Sequence, residues 1–179
     1  MTARIEVQRG TSARASVFHR LPRGMLALIA VTCLAALAVA LVAQHAFGVQ
    51  PCPWCIFQRV LYLAIAAVAL IGWLLPSRGV CALASLGVLA LALGGVAAAV
   101  FQHEVAAKDA SCAFTMADRF LSATGLETAV PFLFQVTATC MDAAQARLLG
   151  LGYELWSGAL FALIAMVAAL LLWHRRMRN

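Results

Sequence analysis

The chain has 179 residues, 64% of them apolar and 11% charged, and 13 Lys and Arg against 7 Asp and Glu leave a net charge of +6. Soluble domains carry about 25% charged residues. This composition excludes a cytosolic globular protein, a disordered tail and a basic nucleic-acid-binding module.

Asp, Glu, Lys and Arg are absent over residues 24–58, 60–77, 79–103 and 155–174. A hydrocarbon core about 30 Å thick is crossed by roughly 20 helical residues, so the pattern predicts membrane helices over 25–47, 56–75, 81–101 and 155–173. The first apolar run exceeds the roughly 7 to 15 residues of a cleaved signal, and it is expected to stay as a helix. The first 23 residues are polar and basic and are expected to be loosely ordered. The fold class is then an all-α membrane protein, a four-transmembrane-helix bundle forming a single integral membrane domain over residues 1–179. Gly94 and Gly95, followed by an Ala run, give the third span a face for close approach to a neighbour.

Lys and Arg of short loops mark the cytoplasmic side. Arg4, Arg9, Arg14, Arg20 and Arg23 precede the first span, Arg78 separates the second from the third, and Arg175, Arg176 and Arg178 follow the fourth. Lys108, Arg119 and Arg147 on the other side are outnumbered by Glu104, Asp109, Asp118, Glu127, Asp142 and Glu154. Both termini are therefore expected in the cytoplasm, with outward loops over 48–55 and 102–154. Membrane topology accounts for the basic balance without a nucleic-acid partner, and the surroundings are membrane lipids.

Six cysteines divide by depth. Cys33 and Cys81 fall in spans and read as small apolar residues. Cys52, Cys55, Cys112 and Cys140 all fall on the outward side, the oxidising compartment in a bacterium. Pro51-Cys52-Pro53-Trp54-Cys55 is a C-x-x-C at a helix start, where proline fits the first turn and the helix dipole favours a thiolate. Half of a zinc site is the rival reading, and it needs two further ligands at metal spacing. Cys112 and Cys140 bracket the middle of the long loop, where a purely structural bridge is the alternative to an exchangeable one. Between them Phe114, Ala117, Phe120 and Leu121 recur at helical spacing, followed by the apolar run Val130 to Phe134. That pattern predicts a short amphipathic helix on the membrane surface, in a mobile loop whose cysteines are accessible.

Arg59 lies about one turn into the second span, four residues after Cys55 and on the same helix face. A guanidinium there either snorkels to the headgroups or stabilises a thiolate, or the carbonyl oxygen of a lipid-soluble electron acceptor as it gains charge. Gln44-His45 and Gln102-His103 end the outward sides of spans one and three and can line a pocket beside the C-x-x-C.

These residues resemble the DsbB family of bacterial inner-membrane disulfide oxidases. The likeness rests on the four spans, on Pro51-Cys52-Pro53-Trp54-Cys55-Ile56-Phe57-Gln58-Arg59, on the loop pair Cys112 and Cys140, and on Gly150-Leu151 and Trp156 at the last span. It implies a thiol:quinone oxidoreductase that reoxidises a DsbA-like periplasmic thiol oxidase and passes two electrons to ubiquinone or menaquinone. By the same resemblance Cys112 and Cys140 form the disulfide that meets DsbA, with Cys112 the mixed-disulfide partner. Cys52 and Cys55 become the quinone-proximal pair, with Cys55 in contact with the quinone and Arg59 and His103 beside it. Gln58 stands where some members carry Glu.

Overall fold

The computed structural model describes residues 2–75, 77–108, 112 and 115–177, with the side chains of residues 2–21 outside that description. The side chains of Arg4, Arg9, Arg14 and Arg20, together with Asp109, Phe114 and Arg178, therefore lie outside the described residues.

Four helices are long and apolar enough to cross a membrane. They are α1 (Thr2–Phe47), α2 (Pro53–Leu74), α3 (Arg78–Glu104) and, after four short helices, α8 (Tyr153–Arg176). The polar start of the chain, expected to be loosely ordered, continues α1, with Pro22 inside the helix. A membrane helix is already a nucleus, and each residue added to it gains one hydrogen bond per residue fixed. Boundaries also move at the other spans. Helix α2 begins at Pro53, so the loop expected over 48–55 ends at Cys52. Helix α3 begins at Arg78 because the Ser77 hydroxyl caps it, accepting from the Val80 amide at 3.1 Å, and it runs to Glu104 before a 3-10 turn over Ala106–Lys108.

Helix α2 packs on α1 and α3, and α3 packs on α8. The buried face of α3 repeats at helical spacing through Cys81, Ala84, Ser85, Val88, Ala92, Gly95, Ala98, Ala99 and Gln102. Small residues in such a stripe let backbones approach, which is how membrane helices gain dispersion contacts without a hydrophobic drive between them. Tyr62 of α2 stacks on Phe161 of α8 with centroids 4.2 Å apart and planes 8° apart. The Phe161 ring lies where a Cβ on Gly95 would be, whereas Gly94 faces open space, so only one of the two glycines serves close approach. Larger apolar residues such as Val31, Leu83 and Leu170 point outward and are exposed, as lipid contact requires.

The segment between α3 and α8 carries α4 (Met116–Thr124), α5 (Leu126–Ala129), α6 (Pro131–Phe134) and α7 (Cys140–Ala143). Helix α4 is the expected amphipathic piece, with Ala117 and Leu121 buried and Met116 exposed. A two-stranded hairpin, β1 (Arg147–Leu148) and β2 (Leu151–Gly152), precedes α8 and was not expected. Its tip needs left-handed backbone at two positions, taken by Gly150 (φ 84°) and Leu149 (φ 53°).

Gly95→Val is expected to lower stability by about 1 to 3 kcal/mol through overpacking against Phe161, and Gly94→Val by less than about 0.5 kcal/mol. Denaturant unfolding of both variants in detergent micelles checks the pair, and equal losses would contradict the Gly95–Phe161 contact.

Candidate active site

Cys52 is the N-cap of α2, in extended backbone, and its Sγ accepts from the Cys55 amide at 3.4 Å. Pro53 follows in the first turn, where its missing N–H leaves no hydrogen bond unmade. That geometry turns both side chains to one side, and the two sulfurs, each a free thiol, lie 2.8 Å apart. The Cys52 thiol is pushed up, first by its hydrogen bond with Cys55 and then by burial, so it stays protonated. The sulfur left to carry negative charge is that of Cys55, at the positive end of the α2 dipole.

A ladder of amides reaches the pair from α3. Gln58 Nε2 donates to Gln102 Oε1 at 2.7 Å, which orients Gln102 Nε2 toward Cys55 Sγ at 3.3 Å and Cys52 Sγ at 3.5 Å. Both glutamines are buried. One turn further along α2, Arg59 is 5% exposed and does not snorkel to the surface. Its guanidinium donates to Gln44 Oε1 at 2.7 Å and to the Leu133 carbonyl of α6 at 2.8 Å. A cavity between α1, α2, α3 and α8 is bordered by Cys55, Gln58, Arg59 and Gln102, with Ala40, Ala43 and Tyr62 among its apolar walls.

Cys112 and Cys140 form a disulfide with Cα atoms 5.6 Å apart. They share an apolar cluster with Cys52, Trp54, Ala98, Ala106, Ala117 and Ala143. The Thr137 and Ala138 amides donate to the Pro51 carbonyl at 3.1 and 3.2 Å, which holds the strand leading to Cys140 against the C-x-x-C. The loop cysteines were expected to be accessible, yet Cys112 is 0% and Cys140 2% exposed. Trp54 and the small alanines of α3, α4 and α7 provide apolar surface that covers them, and an apolar sulfur pair gains by being covered. Cys112 sits in left-handed backbone at φ 51°, uncommon for a residue with a side chain.

The candidates separate in space. Cys52, Cys55, Arg59, Gln44 and Gln102 converge on one cavity or its rim, while His45 stacks on Phe132 with centroids 4.4 Å apart. His103 faces a neighbouring cavity and pairs with Glu154, Nδ1 to Oε1 3.0 Å. Gln102 lines the cavity with Cys55, whereas its hydrogen bond from Gln58 and the buried Glu154 were not singled out in the sequence. Gln58 follows Cys55 by one helical turn, which was a usable signal, whereas the burial of Glu154 had none.

The family described as Disulfide bond formation protein DsbB matches residues 22–171. The chain belongs to the DsbB family. A Disulfide bond formation protein B of Polaromonas sp. (strain JS666 / ATCC BAA-500) is 35% identical over 163 residues, covering 87% of this chain and 93% of the relative. A Disulfide bond formation protein B 1 of Pseudomonas savastanoi pv. phaseolicola (strain 1448A / Race 6) is 35% identical, covering 90% of this chain and 96% of the relative. The same-named protein of Dechloromonas aromatica (strain RCB) is 33% identical, covering 83% and 91%. As a DsbB-family member the protein is a multi-pass membrane disulfide oxidoreductase that acts in disulfide bond formation. Among the described residues no group of three His, Cys, Asp or Glu converges at metal spacing.

In the dithiol form, Cys55 is expected to be alkylated by N-ethylmaleimide about tenfold faster than Cys52, since thiolate and access together set the rate. Peptide mass spectrometry after a timed quench checks the order, and faster modification of Cys52 would overturn the assignment.

Proposed function

We propose that the protein reoxidises a DsbA-like thioredoxin-fold partner in the periplasm of a bacterium and passes the electrons through its two cysteine pairs to a membrane quinone, ubiquinone or menaquinone. One observation carries the reading: a disulfide and a dithiol share one apolar cluster, and the dithiol borders a cavity that also holds a buried arginine. The cavity fits a quinone headgroup. Its walls are apolar, Arg59 supplies fixed positive charge, and the Gln58 and Gln102 amides supply neutral donors.

A partner thiolate attacks Cys112, the Cys112–Cys140 bond breaks, and Cys140 leaves as a thiolate. The second partner thiol then attacks the mixed disulfide, releasing Cys112 and leaving the partner oxidised. The Cys112 and Cys140 dithiol next reduces a Cys52–Cys55 disulfide by the same exchange, so the loop bond re-forms and the inner pair becomes the dithiol. A bound quinone supplies a two-electron, two-proton acceptor. Cys55 and Arg59 line the cavity that would hold it, Gln102 holds the sulfur pair by hydrogen bonds, and the Arg59 guanidinium would stabilise negative charge on the acceptor. DsbA is a strong oxidant at about −120 mV, so only a high-potential acceptor draws electrons onward.

Orientation in the membrane is supported by the opposite end of the bundle. Arg23 donates to the Trp73 carbonyl at 2.7 Å and Arg175 to the Arg78 carbonyl at 3.0 Å, which gathers positive charge away from the C-x-x-C.

Anaerobic mixing with reduced DsbA and a soluble ubiquinone analogue is expected to consume oxidised quinone. Cys55→Ala abolishes that loss. Cys112→Ala abolishes oxidation of DsbA yet leaves quinone reduction driven by a small dithiol that reaches Cys52 and Cys55 directly. Undiminished quinone loss with Cys55→Ala, followed by its absorbance, would refute the relay.

A further inference from the structure

We propose that His103 and Glu154 form a proton path from the aqueous edge of the bundle to the acceptor cavity, with Glu154 the group that hands the proton on. The proposal rests on the quinone reading given above. Among the described residues, Glu154 alone lines both the cavity that contains Cys55 and Arg59 and the neighbouring cavity that contains His103. Its side chain is 6% exposed, that of His103 is 44% exposed, and their 3.0 Å contact joins an inner carboxyl to a solvent-facing imidazole.

A first-turn carboxylate often serves only to cap its helix or complement the dipole. Here the N-cap of α8 is Gly152 and no side chain makes a capping hydrogen bond, so the Glu154 carboxyl is spent on His103 and not on the helix end. A Cβ at Gly152 would strike that carboxyl, so the glycine makes room for it to fold back.

The other groups facing the pair do not substitute for it. Arg59 keeps its proton at any relevant pH. The Tyr62 hydroxyl is engaged with Ser157, at 2.9 Å to its Oγ. Gln58 and Gln102 have no proton to release, Tyr153 lines the first cavity only, and Glu104 lines the second only. Oxidising Cys52 and Cys55 to a disulfide releases two electrons and two protons, and reducing a quinone to a quinol takes up two of each. One proton comes from the thiol pair, whose other proton leaves to water. The second comes from Glu154, which recovers it from water through His103, and the sum is unchanged.

The test uses full-length protein in detergent or nanodiscs, with Glu154→Gln, Glu154→Ala and His103→Gln. Reduction of a soluble ubiquinone analogue by the dithiol-loaded wild type is expected to slow as pH rises. Glu154→Gln is expected to be about 10²- to 10⁴-fold slower, with that pH dependence lost, and added formate is expected to restore part of the rate of Glu154→Ala. Without any quinone, an infrared carboxyl band is expected in wild type, absent from Glu154→Gln and shifted in frequency in His103→Gln, where the 3.0 Å contact is lost. A wild-type rate and pH profile in Glu154→Gln overturns the proposal, as does a deficit that formate leaves untouched or a carboxyl band indifferent to His103. A wild type that reduces no quinone overturns both this proposal and the reading beneath it.

Discussion

A guanidinium placed about one turn inside a membrane helix must find fixed acceptors, because water is scarce there and an unpartnered charge is costly. Arg59 meets that demand with two, the Gln44 amide oxygen of α1 and the Leu133 carbonyl of α6. The two acceptors belong to segments far apart in sequence, so satisfying one charge ties the first helix, the second helix and the long loop together. Cys55 lies one turn away on the same face, and the loop fixed by Arg59 is the one that brings Cys140 against Cys52. His45 strengthens the same join by stacking on Phe132 and meeting its carbonyl at 3.1 Å. The charge thus organises the site before it takes part in any chemistry.

Above and below this level the packing differs in kind. Below it, Leu26, Ile65, Val88, Phe161 and their neighbours form a dry helix-bundle core. Above it, a second cluster encloses Cys52, Cys112 and Cys140, and a third joins Ile56 to Leu121 and Phe134. On the proposed relay, exchange between the two pairs takes place under this apolar cover, with Cys55 the half-buried member that faces the cavity. Shelter has a consequence for the outer disulfide, whose sulfurs are covered in this arrangement. For the proposed partner to reach the sulfurs, Cys112 and Cys140 must part from Trp54 and Ala117. The short helices α5, α6 and α7, of four residues each, have little internal cohesion to resist that parting.

Much of the scaffold was legible in the sequence, because uninterrupted apolar runs have one stable solution in lipid. The C-x-x-C with Arg59 four residues later was legible for a similar reason: proline at a helix start and i, i+4 spacing are local rules. What escaped was set by tertiary contacts. No periodicity announces that the Gln58 and Gln102 amides meet across two helices 44 positions apart, or that Leu133 offers a carbonyl to Arg59. Glu154 read as one more loop charge, since its burial depends on Gly152 and on where α3 places His103. The burial of the loop cysteines was not legible because it depends on Ala98, Ala106, Ala117 and Ala143 meeting around the disulfide from separate elements.

The groups around the reacting sulfurs show how the site handles charge in a dry place. Beside the arginine this chain has Gln58, and its ladder partner on α3 is another amide. A carboxylate at that depth would repel a neighbouring thiolate, and a second cation would need its own acceptors. Amides avoid both problems: Gln102 donates to the sulfurs and accepts from Gln58, at no net charge. Negative charge on Cys55 is then balanced by dipoles already oriented, by the helix N-terminus and by the single guanidinium, none of which must reorganise when electrons leave. The carboxyl that is present, Glu154, is set apart on α8 with its own imidazole, so proton handling and sulfur chemistry occupy different walls of one cavity.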